Sequence, residues 1–156
     1  LVGSEMCIRD RFKGVEHRLE YVRTINEVEY INDSKATNIN SVIVAINTYD
    51  RPIILILGGF NKGANFRLLL PHIKSSHVRE IVSYGDAGGQ INTALGDAVR
   101  SVQVTDLSSA VKKAQLMAAP GDIVLLSPGC ASYDEFSNFE ERGNHFKSII
   151  KNIEIS

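Results

Sequence analysis

The sequence lacks four features that mark whole classes of protein. Its formal net charge is only −1, so it has no overall basic excess of the kind that favours nucleic acid or an anionic membrane surface. No apolar run approaches the ~20 residues of a membrane span, and no signal peptide is evident. Two cysteines in 156 residues exclude a disulfide framework, which favours the reducing environment of the cytoplasm.

What is present is a composition that can form a core. The chain is 44% hydrophobic and 22% charged, and its length fits one domain. The beginning of the chain is different, because EMCIRDR (residues 5–11) resembles the read-through translation of a transposon sequencing adapter. We therefore interpret residues 1–11 as a library scar and residues 12–156 as the domain. A natural disordered tail is the alternative.

Strand-like and helix-like patterns alternate along the chain. Residues 18–33 predict a β-hairpin that turns near Asn26, and Asp106 is a good N-cap for a later helix. The predicted strands then cover residues 52–59, 78–85, 101–105 and 122–129. The predicted helices cover residues 38–49, 66–75, 87–95 and 107–118, with a last helix from residue 136 onward. This order predicts an α/β fold whose mostly parallel sheet has helices on both faces and an antiparallel edge hairpin.

Three strand-to-helix junctions contain most of the polar chemistry. The first junction is NDSKATN (residues 32–38). The helix that follows it offers free N–H groups and a positive dipole end, and Lys35 adds a mobile positive charge, so an anion is favoured there. Thr37 is placed to cap the helix or to bond a ligand. Asp33 is placed to hold a cation, orient a lysine or accept from a ribose. An N-cap beside a solvated lysine is the alternative.

The second junction is GGFNKGANF (residues 58–66), in which glycines allow a tight turn after a buried strand. Lys62 lies at its tip, where it would meet a carboxylate or a phosphate. A simple turn is the alternative, and the spacing is not that of a P-loop.

The third junction is SPGCASYDEFSNFEERG (residues 127–143), where Ser127 and Ser132 would line the same crevice. We interpret Cys130 as a small buried residue and not as a nucleophile, because no histidine pairs with it locally. No His or Cys cluster has metal-ligand spacing, so no metal site is predicted. The aromatic residues of the last helix, Phe136, Phe139 and Phe146, are predicted to be core.

The carboxyl ends of parallel strands lie at one edge of a sheet, where ligands of open α/β folds bind. The three junctions are therefore predicted to face one crevice. Two lysines, a helix N-terminus and several hydroxyl groups suit an anionic small molecule.

In this order and spacing the three junctions resemble the C-terminal domain of the Mur ligases. Among them, they resemble the ligases that add D-glutamate to UDP-N-acetylmuramoyl-L-alanine in peptidoglycan biosynthesis, since the sister ligases carry different residues where NDSKATN stands. The likeness runs from about Phe12 to the end of the chain. It implies a Rossmann-like three-layer sandwich within a bacterial, cytoplasmic and monomeric enzyme that uses ATP and Mg²⁺.

The resemblance also implies roles for individual residues. ATP would phosphorylate the carboxylate of UDP-N-acetylmuramoyl-L-alanine, and the amine of D-glutamate would attack the acyl phosphate. Catalytic roles fall to Lys35 and Asp33. The residues implied to contact the nucleotide are His17, Arg18, Asp33 and Lys35. Those implied to hold D-glutamate are Thr37, Lys62, Ser132 and Phe139, the last through its backbone amide.

Some features depart from the family pattern or are missing. Asn61 and Asn65 stand where relatives often have Asp, and Gly129 replaces a common Ala. The P-loop domain that would hold most of the ATP and Mg²⁺ is absent, as is the UDP-binding domain. We therefore predict that this fragment has no ligase activity alone and moves on a hinge near residues 12–17. Two alternatives stay open: a Mur-type ligase for another amino acid, and a stand-alone module that binds an acidic metabolite.

Overall fold

The computed structural model describes residues 15–154. The strands of this part are β1 (Glu20–Ile25), β2 (Val28–Asn32), β3 (Ile53–Gly58), β4 (Val78–Tyr84), β5 (Arg100–Gln103) and β6 (Ile123–Gly129). Its helices are α1 (Ile39–Thr48), a 3-10 turn (Phe66–Leu69), α2 (Leu70–Ser75), α3 (Gly88–Leu95), α4 (Leu107–Met117) and α5 (Phe139–Lys151). The predicted scar, and its boundary between residues 11 and 12, lie outside the described residues.

The six strands form one sheet in the order β1-β2-β6-β3-β4-β5. The pairs β2–β6, β6–β3, β3–β4 and β4–β5 are parallel, and only β1 is antiparallel to its neighbour β2. This confirms the predicted mostly parallel sheet with an antiparallel edge hairpin. Helices α1, α2 and α3 cover one face, and helices α4 and α5 cover the other, so the fold is the expected three-layer sandwich.

Strand β3 is apolar along its length because it is buried on both faces of the sheet. Leu55 and Leu57 pack into the core beneath α1, α2 and α3. Ile54 and Ile56, which alternate with them, pack into the core beneath α4 and α5. All four side chains are fully buried, because side chains of a strand alternate between faces and both faces of this sheet are covered.

The hairpin turn has the conformation that tight two-residue β-turns require. Asn26 and Glu27 have φ values of 51° and 65°, and turns with two such residues match the twist of the flanking strands. Asn tolerates this conformation well. The turn therefore lies where the sequence predicted it.

Two helix predictions need correction. Residues 66–75 do not form one helix, because the 3-10 turn ends at Leu69 and α2 begins at Leu70. Pro71 thus lies in the first helical turn, where its missing N–H has no intrahelical partner to lose. At the first junction Asn38, and not Thr37, caps α1 by accepting a hydrogen bond from the backbone N–H of Ser41.

The last helix starts later than predicted, at Phe139, because Asn138 caps it by accepting from the backbone N–H of Glu141. Phe136 precedes the helix and packs, half-buried, against the core, whereas Phe146 is fully buried. Phe139 is not a core residue. It stands at the first position of α5, beside the crevice, with its ring edge-on to the ring of His17 at a centroid distance of 6.1 Å.

Within the part of the chain that the structure describes, no helix combines the length and the apolar character that crossing a bilayer requires.

Candidate functional site

Backbone hydrogen bonds join the three junctions at the carboxyl edge of the sheet. The N–H of Gly129 in the third junction donates to the carbonyl of Ala36 in the first, at 2.8 Å. Phe60 in the second junction and Ala131 in the third exchange two hydrogen bonds, of 2.8 and 3.1 Å. The predicted convergence of three distant turns is therefore present in the fold.

A buried guanidinium, that of Arg142 on α5, lies where the junctions meet. Its Nε and Nη2 donate to the hydroxyl and the carbonyl oxygen of Ser34, and its Nη1 donates to the carbonyl oxygen of Cys130, at 2.8 to 3.0 Å. A Cβ on Gly59 would lie 3.1 Å from the same Nη1. Arg142 is 0% exposed, and no carboxylate among residues 15–154 forms an ion pair with it. Its charge is thus balanced by carbonyl and hydroxyl dipoles.

Reasoning from the sequence missed Arg142, although a signal was present. The residue falls on the same helical face as Phe139 and Phe146, at spacings of three and four. A charged residue on the buried stripe of a helix needs partners, and here they come from two of the three junctions.

The first cavity, of about 440 Å³, opens between the leading segment (residues 15–19), the first junction and α5. Five of the eight residues implied to contact ATP or D-glutamate line it, and the other three, His17, Lys62 and Ser132, do not. The predicted residues that line it are Arg18, Asp33, Lys35, Thr37 and Phe139. Arg18, Lys35 and Thr37 are exposed, so two positive charges and a hydroxyl group face the solvent-filled space.

Asp33 is held inside the protein, with both carboxylate oxygens engaged. Its Oδ1 accepts from the backbone N–H of Leu19 at 3.0 Å, and its Oδ2 accepts from the hydroxyl of Ser127 at 2.8 Å. Burial raises the pKa of this carboxyl group from 3.8 to about 6, against the opposing effect of those hydrogen bonds and of Arg18. Asp33 therefore ties the leading segment to strand β6 while lining the first cavity.

His17 lies behind the first cavity and not in its lining. Its ring is 2% exposed, and its Nδ1 accepts from the side-chain amide of Asn32 at 2.9 Å. Its carbonyl oxygen accepts from the backbone N–H of Lys35 at 3.0 Å. The residue has a φ of 67°, which is costly for a non-glycine residue. His17 thus fixes the chain before Lys35, and its predicted contact with a nucleotide stays a prediction.

The second cavity, of about 410 Å³, adjoins the first. Thr37, Asn38 and Asn40 line both cavities, so the start of α1 separates them. Lys62 lines the second cavity only, together with residues of the third junction such as Gly129 and Cys130. Lys35 and Lys62 therefore stand at neighbouring cavities on the same edge of the sheet.

The residues that depart from the family pattern have local roles that suit them. Asn61 accepts from the backbone N–H groups of Gly63 and Ala64, and Asn65 accepts from that of Arg67. A carboxylate oxygen would accept the same bonds, but Asn61 also donates from Nδ2 to the side-chain oxygen of Gln90, which Asp could not do. Gly129 has a φ of 69°, which glycine adopts without strain.

Two residues of the third junction are more enclosed than a ligand contact requires. Ser132 is 3% exposed and lines neither cavity, and its carbonyl oxygen accepts from the N–H groups of Glu135 and Phe136. Cys130 is 2% exposed, and burial raises the pKa of its thiol to about 12. A thiol protonated at neutral pH is a poor nucleophile, which agrees with its interpretation as a buried residue.

Among residues 15–154 no group of three or more His, Cys, Asp or Glu residues is placed to hold a metal ion. The described residues therefore do not fit a complete ligand set for a divalent cation.

The family of this chain follows from its similarity to known proteins. A family model described as "Mur ligase, glutamate ligase domain" matches residues 17–130. The chain belongs to the Mur ligase family. It is 48% identical over 144 residues to the UDP-N-acetylmuramoylalanine–D-glutamate ligase of Clostridioides difficile (strain 630), which covers 91% of this chain and 32% of that ligase. It is 43% identical over 143 residues to the ligase of the same name from Salinibacter ruber, covering 91% and 31%.

The Mur ligase chain spans about a third of the length of these curated relatives. Its fold is also that of a larger solved structure. The bifunctional folylpolyglutamate synthase/dihydrofolate synthase of Yersinia pestis, in complex with AMPPNP and Mn ion, superposes with a TM-score of 0.62 at 17% identity over 88% of this chain and 32% of that one. At this identity the likeness shows the fold alone.

Proposed function

We propose that this chain is the C-terminal domain of a bacterial, cytoplasmic, ATP-dependent ligase that joins D-glutamate to UDP-N-acetylmuramoyl-L-alanine. In this proposal, ATP phosphorylates the substrate carboxylate, the amine of D-glutamate attacks the acyl phosphate, and inorganic phosphate leaves. The names of relatives that are 43% and 48% identical support the choice of amino acid.

The observation that carries the proposal is the shared wall between the two cavities. Thr37, Asn38 and Asn40 line both of them, with Arg18 and Lys35 on one side and Lys62 on the other. An acyl-phosphate ligase must bring a transferring phosphoryl group and an attacking amine into contact, because bound reactants react only when they are adjacent and oriented. Two neighbouring cationic cavities meet that requirement.

The first cavity suits the nucleotide. Arg18 and Lys35 are exposed cations that would offset the charge of the phosphates, and electrostatic stabilisation supplies most of the catalysis of phosphoryl transfer. We assign the catalytic role to Lys35 on this ground. Asp33, with both oxygens engaged by Leu19 and Ser127, is assigned to hold the lining of this cavity in place and to contact the nucleotide from there.

The second cavity suits D-glutamate. Lys62 would bind one of its two carboxylates by a charge-assisted hydrogen bond, and Thr37 would donate from the shared wall. Ser132 and the backbone amide of Phe139, a residue that lines the first cavity and not the second, would complete the site. Ser132 has to become accessible for this, since it is buried and outside both cavities in the present conformation.

Magnesium and the greater part of ATP are assigned to a P-loop domain that precedes this one in the full-length enzyme. A solved structure of the same fold was obtained in complex with AMPPNP and Mn ion, which supports a nucleotide and a divalent ion in general. When bound, the ion would neutralise phosphate charge. From this domain, Arg18 and Lys35 would contact the nucleotide.

The test is phosphate release by the full-length enzyme with ATP, UDP-N-acetylmuramoyl-L-alanine and one amino acid at a time. We expect release with D-glutamate and none with L-glutamate or L-lysine. Release that depends on another amino acid would instead identify a Mur-type ligase of different specificity.

The chain of 156 residues serves as the matched control in this assay. We expect it to release no phosphate above blank, because the ATPase domain is missing. The coding sequence upstream of Phe12 provides an independent check. A Gly-Lys-[Ser/Thr] P-loop there agrees with the ligase, whereas a natural start codon there would favour a stand-alone module that binds an acidic metabolite.

A further inference from the structure

The ammonium group of Lys62 lies over an aromatic ring. Its Nζ is 4.8 Å from the centroid of the Tyr133 ring, within the range of a cation–π interaction. No carboxylate among the described residues forms an ion pair with it. The acidic neighbour of Tyr133 is engaged elsewhere, since Asp134 accepts from the backbone N–H of Asp86 at 3.2 Å.

The ring of Tyr133 packs against a second aromatic ring, although Tyr133 is 60% exposed. Phe60 contacts it at a centroid distance of 6.5 Å and an interplanar angle of 65°. The backbones of the two loops are fixed to each other by the paired hydrogen bonds between Phe60 and Ala131. The loop that carries Lys62 is closed by the side chain of Asn61, which accepts from Gly63 and Ala64. Ring and ammonium are thus carried by two loops that are hydrogen-bonded to each other.

We propose that Tyr133 is a positioning residue for the amino-acid substrate, acting through Lys62. The inference rests on the proposed function, in which Lys62 binds a carboxylate of D-glutamate. A ring face orients an ammonium without neutralising it. A carboxylate at the same place would compete with the substrate for the same charge, so an aromatic partner is the better choice for a lysine that must bind an acid.

Tyr133 is expected to strengthen D-glutamate binding by holding the Lys62 side chain in place before the substrate binds. A free lysine side chain loses much rotamer freedom when a ligand fixes it, and a side chain already held in place loses less on binding. Removal of the ring should weaken D-glutamate binding by about two- to five-fold, the range that corresponds to an exposed cation–π contact. Binding of ATP should not change, because Lys62 lies outside the first cavity.

The test compares Tyr133→Leu and Tyr133→Phe in the full-length ligase by steady-state kinetics. We expect Tyr133→Leu to raise the KM for D-glutamate by about two- to five-fold, with the KM for ATP unchanged. Tyr133→Phe keeps the ring face and should keep the wild-type KM. Equal KM values in all three proteins would overturn the inference, and so would an equal rise in both variants, which would point to the hydroxyl group.

A double-mutant cycle with Lys62→Gln separates this inference from the proposed function. In the Lys62→Gln background, Tyr133→Leu should have no further effect on the KM for D-glutamate, because the ring then has no ammonium to hold. A full additional effect would show that Tyr133 acts by another route. If the wild-type enzyme releases no phosphate in response to D-glutamate, the proposed function fails first. If it does and the cycle shows no coupling, only the role of Tyr133 fails.

Discussion

At the scale of single residues, buried polar side chains organise the site. Arg142 is fully buried and donates to both Ser34 and Cys130. Asp33 uses both carboxylate oxygens inside the protein. The exposed lysines, 35 and 62, therefore depend on loops that buried polar groups hold in position.

The raised pKa of Asp33 predicts a particular pH dependence of stability. Between about pH 4 and pH 6 the folded protein keeps a proton on this carboxyl group that the unfolded chain has lost. Stability therefore falls as pH rises through this window and is flat, for this group, above it. The shift to about 6 corresponds to a loss of the order of 3 kcal/mol.

Urea unfolding of wild type and Asp33→Asn from pH 4 to pH 7 measures this loss. Residue 33 of the variant is neutral at every pH, so its side chain does not cause this loss. The unfolding free energy of Asp33→Asn should therefore rise relative to that of wild type as pH rises. Asp97→Asn, at an exposed position, is the control and should follow the wild type. A difference between wild type and Asp33→Asn that stays constant over this range would contradict the assignment.

Replacement of Arg142 should be among the most destabilising changes in the domain. Arg142→Met leaves the carbonyl oxygens of Ser34 and Cys130 buried without donors. Because such a hydrogen-bond network is lost, we expect the free energy of unfolding to fall by about 3–5 kcal/mol. Arg142→Lys keeps the charge but not the planar set of donors, so it should also destabilise. Equilibrium unfolding measures these free energies. The control is Arg67→Met at an exposed position, whose free energy of unfolding should lie within about 0.5 kcal/mol of wild type. An Arg142→Met variant as stable as Arg67→Met would refute this role.

At the scale of elements, local patterns predicted most of the fold. The continuous apolar run of β3 and the N-cap Asp106 of α4 are local signals, and both elements are observed. The hydrogen-bond partners of His17 and Arg142 could not be predicted in this way. Their partners lie far away along the chain, as in the pair Arg142 and Ser34, which are separated by 108 residues. Neither periodicity nor capping chemistry encodes a contact of that range.

Helix α5 approaches the leading segment so closely that one of its residues must be small. A Cβ at Gly143 would lie 2.1 Å from Nδ1 of His17. Helix propensity alone would make Gly143→Ala stabilising by about 1 kcal/mol, but overpacking of this kind costs typically 1–3 kcal/mol. We therefore expect Gly143→Ala to lower the unfolding free energy.

The matched control for this change is Asn144→Ala, which is exposed on the same helix and should be neutral or slightly stabilising. A Gly143→Ala variant that is more stable than wild type would mean that α5 and His17 are farther apart than described.

At the scale of the whole molecule, the proposed function makes this domain one part of a longer enzyme. The chain spans about a third of its curated relatives, and residues from His17 onward are bonded into the domain through Asn32 and Lys35. We therefore propose that the hinge to the domains that would precede this one lies before His17, within the predicted range of residues 12–17, of which residues 12–14 lie outside the described part of the chain.

Closure on this hinge would exclude water from the acyl phosphate. We expect the radius of gyration of the full-length enzyme in solution scattering to fall when nucleotide and UDP-N-acetylmuramoyl-L-alanine are both present. Each ligand alone provides the control. An unchanged radius with both ligands would contradict closure.

The central claim is that two adjacent cavities divide the substrates between Lys35 and Lys62. Kinetics of Lys35→Gln and Lys62→Gln in the full-length ligase test it most directly, with the KM for ATP and for D-glutamate measured separately for each variant. The account predicts that Lys62→Gln raises the KM for D-glutamate about tenfold or more, in line with the loss of a charge-assisted hydrogen bond, and leaves that for ATP unchanged. Lys35→Gln should instead raise the KM for ATP and lower kcat. An exchange of these two effects, or the same effect from both changes, would contradict the account.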